Sequence, residues 1–452
     1  MADDFKLDFH PDAQRSFNDR AESLVSELVP TPPRKQAPTS YRPDIFPIAT
    51  FTDQDITGEI QLGLADFFGK EVARYFRHGD KSIGLIDSGF RKLVEIAEGM
   101  QRTKQLRDTA SVQCLVDLTF EWVRKRFERT TSIPLTEYVL RECEKQVENL
   151  EIWLPIFRLH VQSEFRIGKI EIKSITRGML EEWHKRLASR IQAEQFTAQQ
   201  TFARERMQLQ GSAAATIRLF AEPIRAYEIA YEEAEASLAL LRFFHPANVF
   251  PQARCFCVLL GRENMETTTY LMVEDAKIQQ KYQKAVYGGR SAWKLDNKEL
   301  SEIRGAGLDV LSELLGSMNR TEFENELLDS LFLYSRNTLE VDAADKLVYI
   351  FAALESILLK DKSEPIQQNI ADRVALLFGA TTDERLAISK NVKEAYNLRS
   401  RFLHHGRRMA DLEIVTEFMK NAWKAFSVLI NNAKRFDTRQ KLIAALERRK
   451  MA

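Results

Sequence analysis

The sequence predicts an α+β N-terminal domain, mostly helical with short strands, followed by an all-α helical bundle. Three observations predict it. From about residue 297 onward, apolar residues recur at helical spacing with only brief breaks. Residues 153–175 and 247–275 instead show the partial alternation and turn punctuation of strands. A chain of 452 residues, 44% hydrophobic and 29% charged, is long enough for two or three cores.

Residues 1–47 hold seven of the 13 prolines, among them Pro30, Pro32, Pro33, Pro38, Pro43 and Pro47. Proline removes a backbone donor and blocks helix, so this stretch reads as a disordered or extended arm, with room for a short helix near 18–28. Residues 48–290 read as the α+β domain, of no type the sequence names. Leu62, Phe67, Phe68, Val72, Tyr75 and Phe76 suggest a first helix, Phe90 to Glu98 a second and Val112 to Phe127 a third. Trp153 to Ile172, punctuated by Gly168, reads as two short strands. Residues 177–242 read as helix, with few breaks before Pro223. Phe256 to Leu259 and Thr268 to Val273 return to strand across the turn at Gly261.

Residues 291–452 form the bundle, with helices expected at 298–318, 322–338, 342–360, 364–378, 383–405, 410–434 and 438–449. Asp342 is placed to cap the third and Pro365 to open the fourth, while Gly379 and Gly406 end the fourth and fifth. Apolar stripes such as Leu347, Ile350, Phe351, Leu354 and Ile357 give each helix a buried face.

Several classes are excluded. Lys+Arg and Asp+Glu balance at 65 each, so any nucleic-acid surface must be local. No apolar run approaches the roughly 18 residues of a membrane helix, and the N-terminus lacks the apolar core of a secretory signal. Cys114 and Cys143 stand alone, and the Cys255-x-Cys257 pair has no second Cys/His pair nearby. The four are expected to be buried thiols in a reducing cytoplasm, with no metal site. No nucleophile elbow, phosphate-binding loop or dinucleotide fingerprint occurs, and no cofactor is expected. Arg74-Tyr-Phe-Arg77-His78-Gly79, His160, His184, His245 and Gly288-Gly289-Arg290 read as structural or surface features.

The chemically loaded segment is Tyr396-Asn-Leu-Arg399-Ser400-Arg401-Phe-Leu-His404-His405-Gly406. Val392, Tyr396, Arg399 and Leu403 share one helix face. A guanidinium there needs an anionic partner, either a carboxylate or a phosphate, which Arg grips bidentately. Two histidines at the helix end sit where the dipole favours an imidazolium, suited to general acid–base work. Lys393, Arg399, Arg401, Arg407 and Arg408 face one acid, Glu394, between 391 and 408, a local phosphate footprint.

Arg399-Ser400-Arg-Phe-Leu-His404 resembles the R-x(4–6)-H signature of HEPN domains. Phe351-Ala-Ala-Leu-Glu355-Ser-Ile-Leu and Asp372-Arg-Val-Ala-Leu-Leu look like the same family, and 325–430 is similar to its Apea-like branch from bacterial anti-phage and abortive-infection systems. The resemblance implies a metal-independent endoribonuclease. Its arginine would stabilise charge on phosphorus, its histidine would move protons, and its site would be composite across a homodimer or higher oligomer. Glu355 would orient Arg399, Ser400 would serve as the polar residue after it, and Arg401, Arg407 and Arg408 would contact RNA. The family's His-Gly is interrupted here by His405, so either His404 or His405 can be catalytic; the position of Ser400 favours His404. A phage-derived trigger acting through the N-terminal domain would complete a defence effector. The alternative is a non-catalytic bundle that dimerises or binds nucleotide or RNA, and a third reading has a nucleotidyltransferase partner modifying the bundle.

Overall fold

A computed structural model describes residues 8–30, 58–60, 63–65, 70–190, 202–203, 205–261, 266–272, 278–285, 292–361, 363–405 and 411–451. The fold is mostly helical with some strands. Among the described residues, helices and strands are mixed up to residue 295 and only helices follow.

The chain packs as two compact units, Met1–Glu151 with Arg218–Ile229, and Ile152–Ile217 with Ala230–Ala452. This division does not coincide with the boundary expected near residue 290. The strands after residue 152 and the end of the helix Pro223–Arg242 belong with the C-terminal helices. One physical reason is a shared aromatic core: Phe243 lies 6.0 Å from Trp423 and 5.6 Å from Tyr334.

In the first unit, α1 (Pro11–Ser26) corrects the expected N-terminal arm. Its proline lies at the helix start, where its missing N–H costs nothing, and His10 accepts from the amide of Asp12. Phe17, Ala21 and Leu24 are buried. The rest of the expected arm, 31–47, lies outside the described residues. The run around Val72 to Phe76 is also not helical. It belongs to a five-stranded antiparallel sheet of β1 (Val29–Pro30), β2 (Gly58–Ile60), β3 (Gly63–Ala65), β4 (Glu71–His78) and β5 (Lys81–Ile86), ordered β1-β5-β4-β3-β2. Gly79, at φ 59°, makes the turn between β4 and β5. The sheet is followed by α2 (Asp87–Gln101), α3 (Val112–Phe127) and α4 (Leu135–Glu144). Their core gathers Phe76, Leu85, Leu93, Leu115, Trp122 and Val139.

A second five-stranded sheet is built from β6 (Glu148–Phe157), β8 (Phe165–Ile167), β9 (Ile170–Ser174), β10 (Ala213–Ala221) and β11 (Val258–Leu259), ordered β11-β6-β10-β9-β8. Strand β10 interrupts the helix expected over 177–242, leaving α5 (Arg177–Arg190) and α6 (Pro223–Arg242) on either side. Short β7 (Leu159–Val161) pairs in parallel with β14 (Trp293–Leu295), and β12 (Glu266–Met272) forms a hairpin with β13 (Ile278–Ala285).

The expected bundle helices all form: α7 (Asn297–Ile303) with α8 (Asp309–Gly316), α9 (Glu322–Ser335), α10 (Ala343–Leu358), α11 (Ile366–Phe378), α12 (Thr382–His405), α13 (Leu412–Asn431) and α14 (Arg439–Met451). A π turn over Arg304–Leu308 separates the first two. There Gly307 adopts φ 124°, and a Cβ would come within 2.8 Å of Ile430. Asp342 accepts from the Ala344 amide and Gly379 follows the last turn of α11, as the punctuation predicts. Leu347, Ile350, Phe351, Leu354 and Ile357 of α10 meet Val415, Phe418, Met419, Ala422 and Phe426 of α13 in the core, all fully buried. Each large side chain so removed from water contributes roughly 1.5–3 kcal/mol.

Candidate functional site

The site is organised by α12. Its start is a reciprocal cap: Thr381 Oγ1 accepts from the Glu384 amide at 3.2 Å, while the Glu384 carboxylate accepts from the amides of Ala380 and Thr381. Those amides hold the Glu384 carboxyl below its ordinary value. Val392 and Ala395 are fully buried. Polar side chains fix the register against neighbouring helices. Asn391 donates to the carbonyl of Ile414 at 3.1 Å and accepts from Asn421 at 3.0 Å, and Gln367 donates to the Lys393 carbonyl and to Asn397.

This packing delivers Arg399 to an aromatic notch. Its guanidinium carbon lies 5.7 Å from the centre of the Phe351 ring and 5.6 Å from that of Tyr396. Tyr396 meets Phe351 edge-on at 5.3 Å, and Phe351 stacks on Phe418 at 4.4 Å. Arg399 Nη1 donates to Glu355 Oε1 at 3.0 Å, with the two side chains 17% and 25% exposed. The α10 carboxylate and the α12 guanidinium are thus brought together. The pairing is single-stranded, because Nη1 is the guanidinium nitrogen with a partner among the described residues and Nε is buried without one. Part of the fork remains for another oxygen.

The shared face changes character along the helix. Val392 is fully buried, Arg399 half-buried and Leu403 53% exposed, so the face leaves the core before the helix ends. Ser400 is half-buried, and exposed Arg401 donates to the Asn397 carbonyl at 3.3 Å. His404 and His405 form the last residues of α12, but their side chains lie outside what the structure describes, as do Gly406, Arg407 and Arg408 altogether. Arg399 and His404 are five positions apart, about 140° around an ideal helix, so the two do not share one face.

Arg373 on α11 is a second arginine, almost fully buried, and its surroundings are structural. It grips Glu364 with two bonds of 2.7 and 2.8 Å and donates to the Leu358 carbonyl at 2.6 Å. The Arg373 hydrogen bonds hold the Glu364 carboxyl down at about 2, against 4.5 ordinarily. The folded value is the lower one. Its stabilisation is therefore complete above about pH 4.5 and is lost as pH falls toward about 2, on the order of 2 kcal/mol. Urea midpoints measured at about pH 5 and about pH 3 are expected to fall further for the wild type than for Glu364→Gln; equal slopes would exclude this pair from acid unfolding.

The remaining candidates resolve simply. Arg74 lies on β4, bonded to Glu71 and to Asp117, not on a helix with His78 one turn away. His245 caps a short turn, and burial lowers it to about 4. His184 stacks on Phe202 at 4.5 Å. Gly288-Gly289-Arg290 lies outside the described residues. All four thiols are buried and free, and burial pushes Cys255 up to about 11. Among the described residues no group of three or more His, Cys, Asp or Glu is placed to hold a metal ion, and no helix is long and apolar enough to cross a membrane.

Two groups escaped the sequence reading. Lys346 is fully buried on α10, donating to the Ala253 carbonyl at 2.8 Å, and burial lowers it to about 8. Arg158 lines a cavity of about 350 Å3, together with His160, which the sequence placed among structural or surface residues. The first reads as one more apolar-stripe neighbour, and the second has no motif; only the fold assembles them.

Comparison with protein-family models, with curated proteins and with solved structures finds no match for this chain.

Proposed function

We propose that the C-terminal helices act as a HEPN-type, metal-independent endoribonuclease, with Arg399 and His404 as its working pair and His405 as the alternative to His404. The carrying observation is a guanidinium held by Glu355 and two rings, with part of its fork unfilled, on the helix that also bears the histidines. Arg399 would stabilise the charge that builds on a phosphate as the neighbouring 2′-hydroxyl attacks it. The histidine would take the hydroxyl proton or return one to the leaving oxygen. Because Arg399 and His404 diverge around α12, the productive pair is completed by a second copy of the chain. Arg401, Arg407 and Arg408 would steer the RNA backbone. In this reading the protein is a cytoplasmic anti-phage effector whose N-terminal part senses a trigger.

The second reading is a non-catalytic bundle that dimerises or binds nucleotide or RNA. It is favoured by one feature: Glu355 already neutralises Arg399, while Leu403 at 53% and Leu412 at 42% are exposed near the same end of the bundle. Single-stranded RNA incubated with wild type, His404→Ala and His405→Ala, each with and without a chelator, separates the two. The ribonuclease reading expects chelator-insensitive cleavage that one histidine variant loses by about 10²–10⁴-fold. RNA bound without turnover in all three proteins would establish the second reading.

A further inference from the structure

The cavity beside β6 and β7 has the composition of a ligand site, and we propose that it binds a small organic phosphate of the nucleoside monophosphate class. Its volume, about 350 Å3, lies within the roughly 300–1,000 Å3 of small-molecule sites. Its lining combines apolar Phe157, Met207 and Leu209 with polar Arg158, His160 and Ser212. Among the described residues no acidic side chain lines it.

Arg158 is the residue that ordinary packing leaves unexplained. Its Nη1 is buried and has no hydrogen-bond partner among the described residues, which is costly for a charged donor. Its guanidinium lies 5.2 Å from the ring centres of both Phe157 and Phe256, so aromatic faces hold it in place without neutralising it. Its backbone is at φ 52°, a region that residues with side chains rarely occupy, between β6 and β7. The strained residue is fixed from the other side, because its carbonyl accepts from the Trp293 amide at 2.9 Å. A strained backbone, an aromatic clamp and an orphaned donor therefore meet at one residue on the cavity wall.

His160 adds a second oriented group. Its Nδ1 meets the Gly211 carbonyl at 2.5 Å. A carbonyl only accepts, so Nδ1 carries the proton and Nε2 is left for a ligand. The Arg158 guanidinium donates to charged oxygens while His160 Nε2, left as an acceptor, takes the hydrogen of a P–OH group, a combination that suits a hydrogen phosphate over a carboxylate. The apolar lining calls for more than a bare ion: it needs a body that removes Phe157 and Met207, itself 81% exposed, from water. This proposal does not depend on the ribonuclease reading, since no residue is shared with it.

Calorimetric titration of the full chain with adenosine and uridine 5′-monophosphates, the matching nucleosides and inorganic phosphate tests it. At least one monophosphate is expected to bind, with its nucleoside and inorganic phosphate weaker by about tenfold or more. Arg158→Ala is expected to lose about tenfold or more of that affinity, the worth of a charge-assisted bond. Exposed Gln208 on the cavity rim gives a second variant that leaves the strained backbone alone: Gln208→Trp fills the space and is expected to abolish binding with the circular dichroism spectrum unchanged. No binding by either monophosphate, or binding that Gln208→Trp leaves intact, overturns the proposal. So does inorganic phosphate binding as tightly as the monophosphates.

Discussion

Arg399→Ala is expected to lower the rate of RNA cleavage by about 10²–10³-fold, the usual effect of deleting one preorganised charge stabiliser. The loss is expected in kcat more than in KM, because the substrate phosphate carries less charge on its equatorial oxygens than the transition state does. The variant keeps its fold: Phe351 stays stacked on Phe418, and Glu355, already 25% exposed, regains water when its partner leaves. Glu355→Gln is the matching control. It keeps an acceptor at 3.0 Å from Nη1 but removes the charge that orients the guanidinium, so a smaller loss of about tenfold follows. Single-turnover cleavage of a labelled RNA measures both. Cleavage by Arg399→Ala at the wild-type rate would remove Arg399 from the chemistry and return the notch to a packing device.

Arg373→Ala is expected to have the largest effect on stability, about 3–5 kcal/mol. The change leaves Glu364, only 15% exposed and gripped by two bonds, with Lys360 as its remaining nearby cation. It also orphans the Leu358 carbonyl at the end of α10 and opens a void between α10 and α11. Replacing both members, Arg373→Met with Glu364→Gln, is expected to recover more than half of the loss, since no bare charge is then left in the interior. Urea unfolding followed by circular dichroism reads both variants. A loss below about 1 kcal/mol would mean that Arg373 acts as a surface ion pair does.

Legibility varied with the range of the interactions involved. The bundle was readable because its signals are local. Asp342 caps α10 with its own side chain, Gly379 ends α11, and the apolar stripes of α10 and α13 repeat every turn. The N-terminal region misled for the opposite reason. Ala213, Ala214 and Ala215 carry high helix propensity, yet their partners are Ser174, Lys173 and Ile172, about 40 residues away. Tyr75 and Phe76 likewise sit opposite Gly84 and Ile83 in a ladder that a helical window cannot see. Pro11, one of the seven prolines in the expected arm, opens α1, because the first turn of a helix has no use for its missing donor.

The same division runs through the site. By itself the sequence determined that an arginine shares a helix face with Val392 and Tyr396 and that it needs an anion. The family resemblance also named Glu355, one turn beyond Phe351 on another stripe, as the carboxylate that would orient Arg399. Only the tertiary structure decided that Glu355 and Arg399, 44 residues apart, meet at 3.0 Å over Phe351. It alone decided that the face opens to solvent by Leu403, and that Arg158, which no spacing rule singles out, stands orphaned on a cavity wall. Periodicity along one helix fixes which residues share a face. Which charges then meet, and which are left without a partner, depends on how separate elements pack, and that information is spread over the whole chain.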